Sequence, residues 1–337
     1  MNILDSAGVA ASFFAAHRAG LIGAILDSPA SCSELASRLG IDRNATGLIL
    51  DVLRSAGLVE HDGEAYAASA ELHAAHTRLP GGVDALMMIW THTPEFLASG
   101  APLRRMDGTS AERAEEYENL VLGLASLFMP SARELARRLE GAPRRILDVG
   151  AGSGIWSLAI AEAHPGSTVT ALDFPPVLES FGRQAAAMGL ADRVDVLAGD
   201  AYIAEIPEGA FDLIVLANIL HLEPAERAAV LLHRVADVLA PGGRIVVVDV
   251  FGGEGDADRG RAVYALHLAM RTERGTAHPA ALVESWLHQA GVGPELRMQF
   301  NDPMVYGMGA LVSAPASGVL EAPAAGSLQH AASIVKP

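Results

Sequence analysis

The chain has 337 residues, half of them hydrophobic, with 24 basic and 40 acidic side chains and a formal net charge of −16. Such a surface repels nucleic-acid phosphates, and no basic run offsets it locally, which argues against a polynucleotide partner. No apolar run reaches the roughly 18–20 residues that cross a bilayer, and the single cysteine, Cys32, excludes an intrachain disulfide and a cysteine-cluster metal site. Asp5 precedes every basic residue, which makes the N-terminal stretch a poor signal peptide, so a soluble, cytoplasmic protein is expected.

Residues 1–80 predict short helices followed by a hairpin. FFAAHRAGLIGAIL is apolar at helical spacing, and SCSELASRLG reads as a helix whose capping box is Ser31 with Glu34. NATGLILDVLRSAG predicts a further helix ending at Gly57, and LVEHDGEAYAAS predicts two short strands around Asp62-Gly63. Helices followed by a wing is the winged-helix order. Residues 81–140 read as a helical linker rich in large apolar side chains.

From 141 to 313 the rhythm changes. RRILDVG, STVTALDF, RVDVLAG, FDLIVLAN and RIVVVDV are short β-branched runs, mostly separated by helical stretches such as WSLAIAEAH and EPAERAAVLLHRVADVL. Alternating strand and helix predicts an α/β fold with a mostly parallel sheet covered on both faces. Pro241-Gly242-Gly243 reads as a turn before a strand, 279–290 as one more helix, and 295–301 with 305–313 as a closing antiparallel pair. Residues 314–337 are small, polar-leaning and aperiodic, and are expected to be disordered.

The stretch ILDVGAGSG ends the first of these strands. Gly150, Gly152 and Gly154 give G-x-G-x-G rather than the dinucleotide G-x-G-x-x-G, because position 155 is Ile155. Asp173 ends the next strand, where a carboxylate can hold both hydroxyls of a ribose. Asp200 ends a third, where it can meet an adenine amino group. No phosphate-binding G-x-x-x-x-G-K-[ST] is present and no lysine lies near the loop. A ligand with ribose and adenine and without phosphate is implied, and S-adenosylmethionine fits.

ILDVGAGSG, TVTALDFPPVLE, VLAGDAY, FDLIVLANILH and LAPGGRIVVVDVF together resemble the class I S-adenosylmethionine-dependent methyltransferases. More narrowly, the chain is similar to the caffeate/acetylserotonin-type O-methyltransferases and their bacterial natural-product relatives over about residues 10–313. HRAGLIGAILDSPASCSELASRLGIDRNATGLILDVLRSAGLV resembles that family's winged-helix dimerisation domain. The resemblance implies a Rossmann-like, seven-stranded, mostly parallel sheet, a homodimer, and a small-molecule methyl acceptor. It implies that Gly150, Gly152, Gly154 and Asn218 line the methionine part of the cofactor, that Asp173 binds ribose, and that Asp200, Ala201 and Tyr202 flank adenine. His221 falls on the family's catalytic base and Asp249 on an acidic partner to it. Trp90, His92, Phe96, Phe128, Met129, His267 and Met270 are candidate acceptor-pocket residues, with ordinary core packing as the alternative for each. No metal is implied.

Two departures bear on the chemistry. The family's His-Asp-Trp is here His221-Leu222-Glu223, and its G-G-x-E-R places Ala277 where a second carboxylate stands and His278 where an arginine stands. An imidazole titrates near neutral pH and can take a proton from an attacking hydroxyl. O-methylation is therefore expected first, C- or N-methylation second. A winged-helix, ligand-sensing regulator is a further alternative, but residues 1–80 hold five Arg, no Lys and nine acidic residues, against the basic face such a module needs.

Overall fold

The computed structural model describes residues 2–79, 81–103, 105–106, 110–251, 259–302, 305 and 307–315, with the backbone alone for 110–123. Four helices come first: α1 (Ile3–Arg18), α2 (Leu21–Asp27), α3 (Cys32–Leu39) and α4 (Arg43–Ser55). The starts of α1, α3 and α4 are fixed by side chains that satisfy unpaired N–H groups, and α2 starts at Gly20 without one. Asn2 caps α1, Asp42 caps α4, and the Ser31–Glu34 capping box of α3 is complete in both directions. Strands β1 (Val59–His61) and β2 (Tyr66–Ala68) pair antiparallel. Asp62 Oδ1 closes the turn between them, accepting from the N–H groups of Glu64 and Ala65 at 2.9 Å each. Leu21, Ile25, Leu35, Leu50 and Leu53 form the core of this part.

Next come α5 (Ala70–Arg78), α6 (Gly82–Thr91), α7 (Thr93–Ser99) and α8 (Ser110–Arg138). Arg78 ties the N-terminal helices to the remainder. Its guanidinium donates to Leu127 O in α8 at 2.7 Å and pairs with Asp302 near the C-terminal strands.

The α/β part runs β3 (Arg145–Val149), α9 (Ile155–Ala163), β4 (Thr168–Asp173), α10 (Pro175–Ala187), β5 (Val194–Ala198), β6 (Phe211–Ala217), α11 (Ala225–Ala236), β7 (Leu239–Val250), α12 (Arg259–Ala269), α13 (Ala280–Gln289), β8 (Pro294–Gln299) and β9 (Met308–Ser313). The seven-stranded sheet has the order β5-β4-β3-β6-β7-β9-β8, parallel except for β9, which is antiparallel to β7 and β8. This is the expected mostly parallel fold. Alternation along each strand splits the apolar side chains between two layers. Ile146, Val215, Val246 and Val248 pack with α8 and α9, while Leu147, Ile214, Ile245 and Val247 pack with α11 and α13.

Two details differ from the sequence expectations. Helix α12, between β7 and α13, carries too little apolar periodicity to stand out. The Pro241–Gly243 turn lies inside β7: Phe211 pairs with Leu239 and the next register pair joins Leu213 to Arg244, so the extra residues are accommodated as an irregularity in the strand. The expectation of a disordered tail falls on 316–337, outside the described residues; Ala314 still pairs, its N–H donating to Gly293 O at 2.8 Å. No single described helix is long and apolar enough to cross a membrane.

Gly154 starts α9 in the left-handed region (φ 70°), and a Cβ there would lie 2.4 Å from the buried ring of Phe181. Gly154→Ala should therefore lower stability by about 2–4 kcal/mol, from overpacking together with an unfavourable φ. Urea denaturation measures this; an unchanged midpoint would show that Phe181 yields freely.

Candidate functional site

The sheet reverses its direction of growth at β3, with β4 on one side and β6 on the other. Crevices in open parallel sheets form at such a point, beyond the carboxyl ends of the strands. A cavity of about 650 Å³, counted out to its open mouth, lies there.

Each strand end contributes to its wall. After β3, Gly150 (φ 67°) turns the chain, and its N–H donates to Leu172 O at 2.8 Å. Gly150 and Gly152 line the cavity; Gly154 does not, being committed to the Phe181 contact, so the expected three-glycine lining reduces to two. At the end of β4, Asp173 accepts from Gly152 N–H at 2.9 Å and from Phe174 N–H at 2.7 Å, which locks the glycine loop against the carboxylate. After β5, Asp200 accepts from Tyr202 N–H at 2.9 Å, so Asp200, Ala201 and Tyr202 form one wall. After β6 comes Asn218, the only described non-glycine residue in the left-handed region (φ 56°), also lining the cavity. Held in a sparsely populated conformation, it marks a strained turn at the site. The lining residues include three carboxylates, Asp173, Asp200 and Glu223, and no basic side chain. This donor-seeking, phosphate-averse wall, with Phe174, Val177 and Ile219 as apolar surface, suits a nucleoside with hydroxyl and amino groups.

Residues 220–222 form a single 3₁₀ turn. Side chains three apart eclipse in such a turn. Ile219 and Leu222 accordingly face the cavity, and His221 points elsewhere. Its Nδ1 is 2.6 Å from Asp249 Oδ1, at the end of β7. Both side chains are buried, at 6% and 5% exposure. Asp249 is itself held by Val250 N–H at 2.8 Å and by His221 N–H at 3.3 Å. The Tyr264 ring of α12 meets the imidazole edge-on, its hydroxyl 3.4 Å from each ring nitrogen.

The segment where the family's second carboxylate would stand braces this turn from behind. Thr276 N–H donates to His221 O at 2.8 Å. His278 Nε2 lies 3.1 Å from both Leu220 O and Glu223 O. A Cβ on Gly275 would approach His221 O to 2.9 Å. Ala277 is buried and offers no polar atom of its side chain.

The candidate acceptor residues separate into two groups. Trp90 stacks on His267, with ring centroids 5.7 Å apart, and Thr93 Oγ1 lies 3.7 Å from the Met270 sulfur. Burial, reinforced by Arg271, pushes the His267 imidazole down to about 3, so it is neutral, and its buried Nε2 meets no hydrogen-bonding group among the described residues. Tyr264 and His267 are three apart on α12 and so share one helix face. His92 and Phe96 are half-buried at the α6–α7 junction, His92 Nε2 lying 3.3 Å from Ala101 O. Phe128 and Met129 sit elsewhere. Phe128 packs on Trp156, itself stacked on Phe300, and Met129 packs against the same core, so these two serve the α8–α9 layer. Tyr264 and Arg227 carry no signal in the sequence, and Glu223 and His278 stand out there only as departures from the family's pattern; their contacts come from chain that folds against them.

The model of the family described as O-methyltransferase domain matches residues 89–292. The chain is 28% identical over 318 residues to the 3-hydroxy-5-methyl-1-naphthoate 3-O-methyltransferase of Streptomyces sahachiroi, covering 89% of this chain and 90% of that protein. It is 29% identical over 216 residues to the L-tyrosine C(3)-methyltransferase of Streptomyces lavendulae, covering 61% of this chain and 58% of that one. Among solved structures it is similar to CalO1, a methyltransferase in calicheamicin biosynthesis in its SAH-bound form, with a TM-score of 0.68, 24% identity, and coverage of 94% of this chain and 100% of that chain.

Beneath the glycine loop, Asp148 of β3 is buried and hydrogen-bonded to the Ser157 hydroxyl, which also lies 3.1 Å from Gly154 O. One hydroxyl proton cannot serve two acceptors; a protonated Asp148 supplies the second. Burial, opposed by the Ser157 hydrogen bond and reinforced by the Asp173 charge, pushes Asp148 up to about 7. The unfolded chain releases this proton near an ordinary aspartate value of about 4. The stability from this group is thus full below about pH 4 and falls as pH rises toward about 7. Asp148→Asn, neutral throughout, should gain stability relative to the unsubstituted chain between pH 5 and pH 8, on the order of 2–3 kcal/mol. Urea midpoints at the two pH values give the answer, and a pH-independent difference would mean that Asp148 is ionised in the fold.

Proposed function

The chain belongs to the O-methyltransferase family and is an S-adenosylmethionine-dependent methyltransferase, and from that premise we propose that it methylates a hydroxyl oxygen of a small, largely aromatic or apolar acceptor of the secondary-metabolite type, with His221 as general base. The observation that carries this is the buried contact of 2.6 Å between His221 Nδ1 and Asp249 Oδ1. A carboxylate at Nδ1 holds the proton on that nitrogen and leaves Nε2 as the acceptor of a proton from the attacking hydroxyl. Asp249 also stabilises the imidazolium that forms.

Bound S-adenosylmethionine supplies a methyl group on a sulfonium that leaves as a neutral thioether. Gly150, Gly152 and Asn218 would hold its amino-acid part, Asp173 its ribose hydroxyls, and Asp200 with Tyr202 its base. Trp90, His267 and Tyr264 would form the acceptor wall, joined by the common face of α12. The aromatic acceptor in the name of the Streptomyces sahachiroi relative supports this choice. Holding nucleophile and methyl carbon in line lowers the barrier without further chemistry from the protein.

A specific observation also favours a second reading. Ala277 offers no second carboxylate beside His221, and a protein to which the chain is similar is named as a C(3)-methyltransferase. An acceptor that arrives as an enolate or phenolate needs no base. The test is methyl transfer from labelled S-adenosylmethionine to a panel of phenols, quinones and keto acids. On the acceptor so found, His221→Ala should cut turnover by about 10²- to 10⁴-fold and abolish the acidic limb of the pH–rate profile. Near-normal turnover with an unchanged profile would rule out His221 as base and favour the pre-ionised acceptor.

We propose further that the chain divides at about residues 80 and 140 and forms a homodimer through an N-terminal winged-helix domain. Helix α1 leaves apolar side chains uncovered in its first turn: Ile3 is 83% and Leu4 79% exposed. Burying such surface against a second copy is the usual two-fold solution. Light scattering at micromolar concentration should report a dimer, and a stable monomer would refute it.

A further inference from the structure

The His221 imidazole has a contact that the chemistry above does not use. The Tyr264 hydroxyl lies 3.4 Å from Nδ1 and 3.4 Å from Nε2, and the two rings stand at 84° with centroids 5.7 Å apart. An oxygen equally far from both nitrogens at this distance would collide with Cε1 if it lay in the imidazole plane. It therefore stands over the face of the ring, with the phenol directed end-on at that face.

Asp249 meets the same ring from its edge, at Nδ1, at 2.6 Å. That contact alone lets the imidazole tilt about the line from Cβ to Nδ1. Nε2 lies off this line and moves most, and Nε2 is the atom that would take the proton. A stop on the face removes the tilt. Tyr264 can act as one because the end of its helix is tied down. Leu103 N–H donates to Met270 O at 2.8 Å, and Met106 N–H donates to Arg271 O at 2.9 Å. The Thr272 hydroxyl donates to Leu268 O at 2.8 Å. The chain then returns to the base, where Thr276 N–H donates to His221 O at 2.8 Å. One continuous segment thus sets both the tyrosine over the ring and the backbone that carries the ring.

We propose that Tyr264 is a positioning residue for methyl transfer, whose hydroxyl oxygen on the face of the His221 imidazole keeps Nε2 aimed at the acceptor hydroxyl. The proposal rests on the reading of His221 as the base. It asks nothing of the hydroxyl proton, only that the oxygen fills the space above the ring. A phenylalanine ends one atom short, and most of the contact across such a gap is forfeited. Misplacing a reacting group costs rate more than it costs binding, so the effect should fall on turnover.

Two measurements test this, and the first needs no acceptor. In the full chain carrying isotope-labelled histidine, nitrogen NMR resolves the His221 ring atoms, assigned by their loss in His221→Ala. In alkaline buffer the unsubstituted chain should show one protonated and one bare nitrogen, widely separated, as a single tautomer held by Asp249 requires. In Tyr264→Phe, which keeps the half-buried ring, the two signals should draw together as the imidazole tilts and its tautomers mix. The second measurement is turnover with labelled S-adenosylmethionine on whichever panel acceptor is methylated fastest. Tyr264→Phe should lower kcat about three- to tenfold, the range of one edge-to-face aromatic contact. The acceptor KM and the affinity for S-adenosylhomocysteine should stay within about twofold of normal. In the His221→Ala background the same substitution should change nothing further, because nothing is left to hold. Unchanged nitrogen signals or an unchanged kcat overturns the proposal. A rise in KM alone also overturns it and leaves Tyr264 as acceptor wall only, and so does an equal loss of turnover in the His221→Ala background. Near-normal turnover in His221→Ala by itself overturns the base assignment, and this proposal with it.

Discussion

Everything at this site depends on the parting of β4 and β6 on either side of β3. A parallel sheet must leave the chain at the same edge after every strand, and at the parting point two such exits diverge. The gap between them is the cavity. The glycine loop, Asp173, the Asp200 turn and Asn218 are all strand exits, and none would approach the others in any other strand order. The glycine at 150 is required by the turn itself, since its φ of 67° lies in the left-handed region and a Cβ there would lie 2.3 Å from Ile219.

Five carboxylates converge on this edge, each with a different partner. Asp148 shares a proton network with Ser157, Asp173 grips the glycine loop, Asp200 forms its own turn, Asp249 holds an imidazole, and Glu223 holds a guanidinium. Water is displaced from most of them, so the partner decides what each can do. The same residue type thus supplies a buried acid, a loop lock, a turn former, a guanidinium partner and a histidine orienter.

The acceptor side differs from the resembling family where Ala277 replaces a carboxylate. The surrounding segment keeps its mechanical function. Thr276 and His278 still pin the turn carrying His221 by its backbone, and the Tyr264 ring meets the imidazole edge-on. The turn that carries His221 is braced through its backbone, and Asp249 is the carboxylate paired with the imidazole. His267, on the same helix as Tyr264, is neutral and stacked on Trp90.

The alternation of β-branched runs with amphipathic helices determined the layered sheet, because period-two and period-3.6 patterns are local properties of the chain. Capping signals such as Ser31 with Glu34 were equally local, and they hold in the structure. Strand-end residues were legible too: Asp173, Asp200 and Asn218 each follow an unmistakable strand, so the sequence alone placed them at one edge. Helix α12 was not legible, since its apolar residues keep no helical period. What only the tertiary structure decided were meetings between chain segments far apart. Gly154 reads like its two companions until Phe181, 27 residues on, is seen against it. Phe128 reads like a pocket residue until Trp156 covers it. Glu223 reads as a lost family position until α11 brings Arg227 and Tyr202 around it. Local pattern fixes which way a side chain faces along its own element; the partner that gives it a role is set by packing between elements, which no short window of sequence contains.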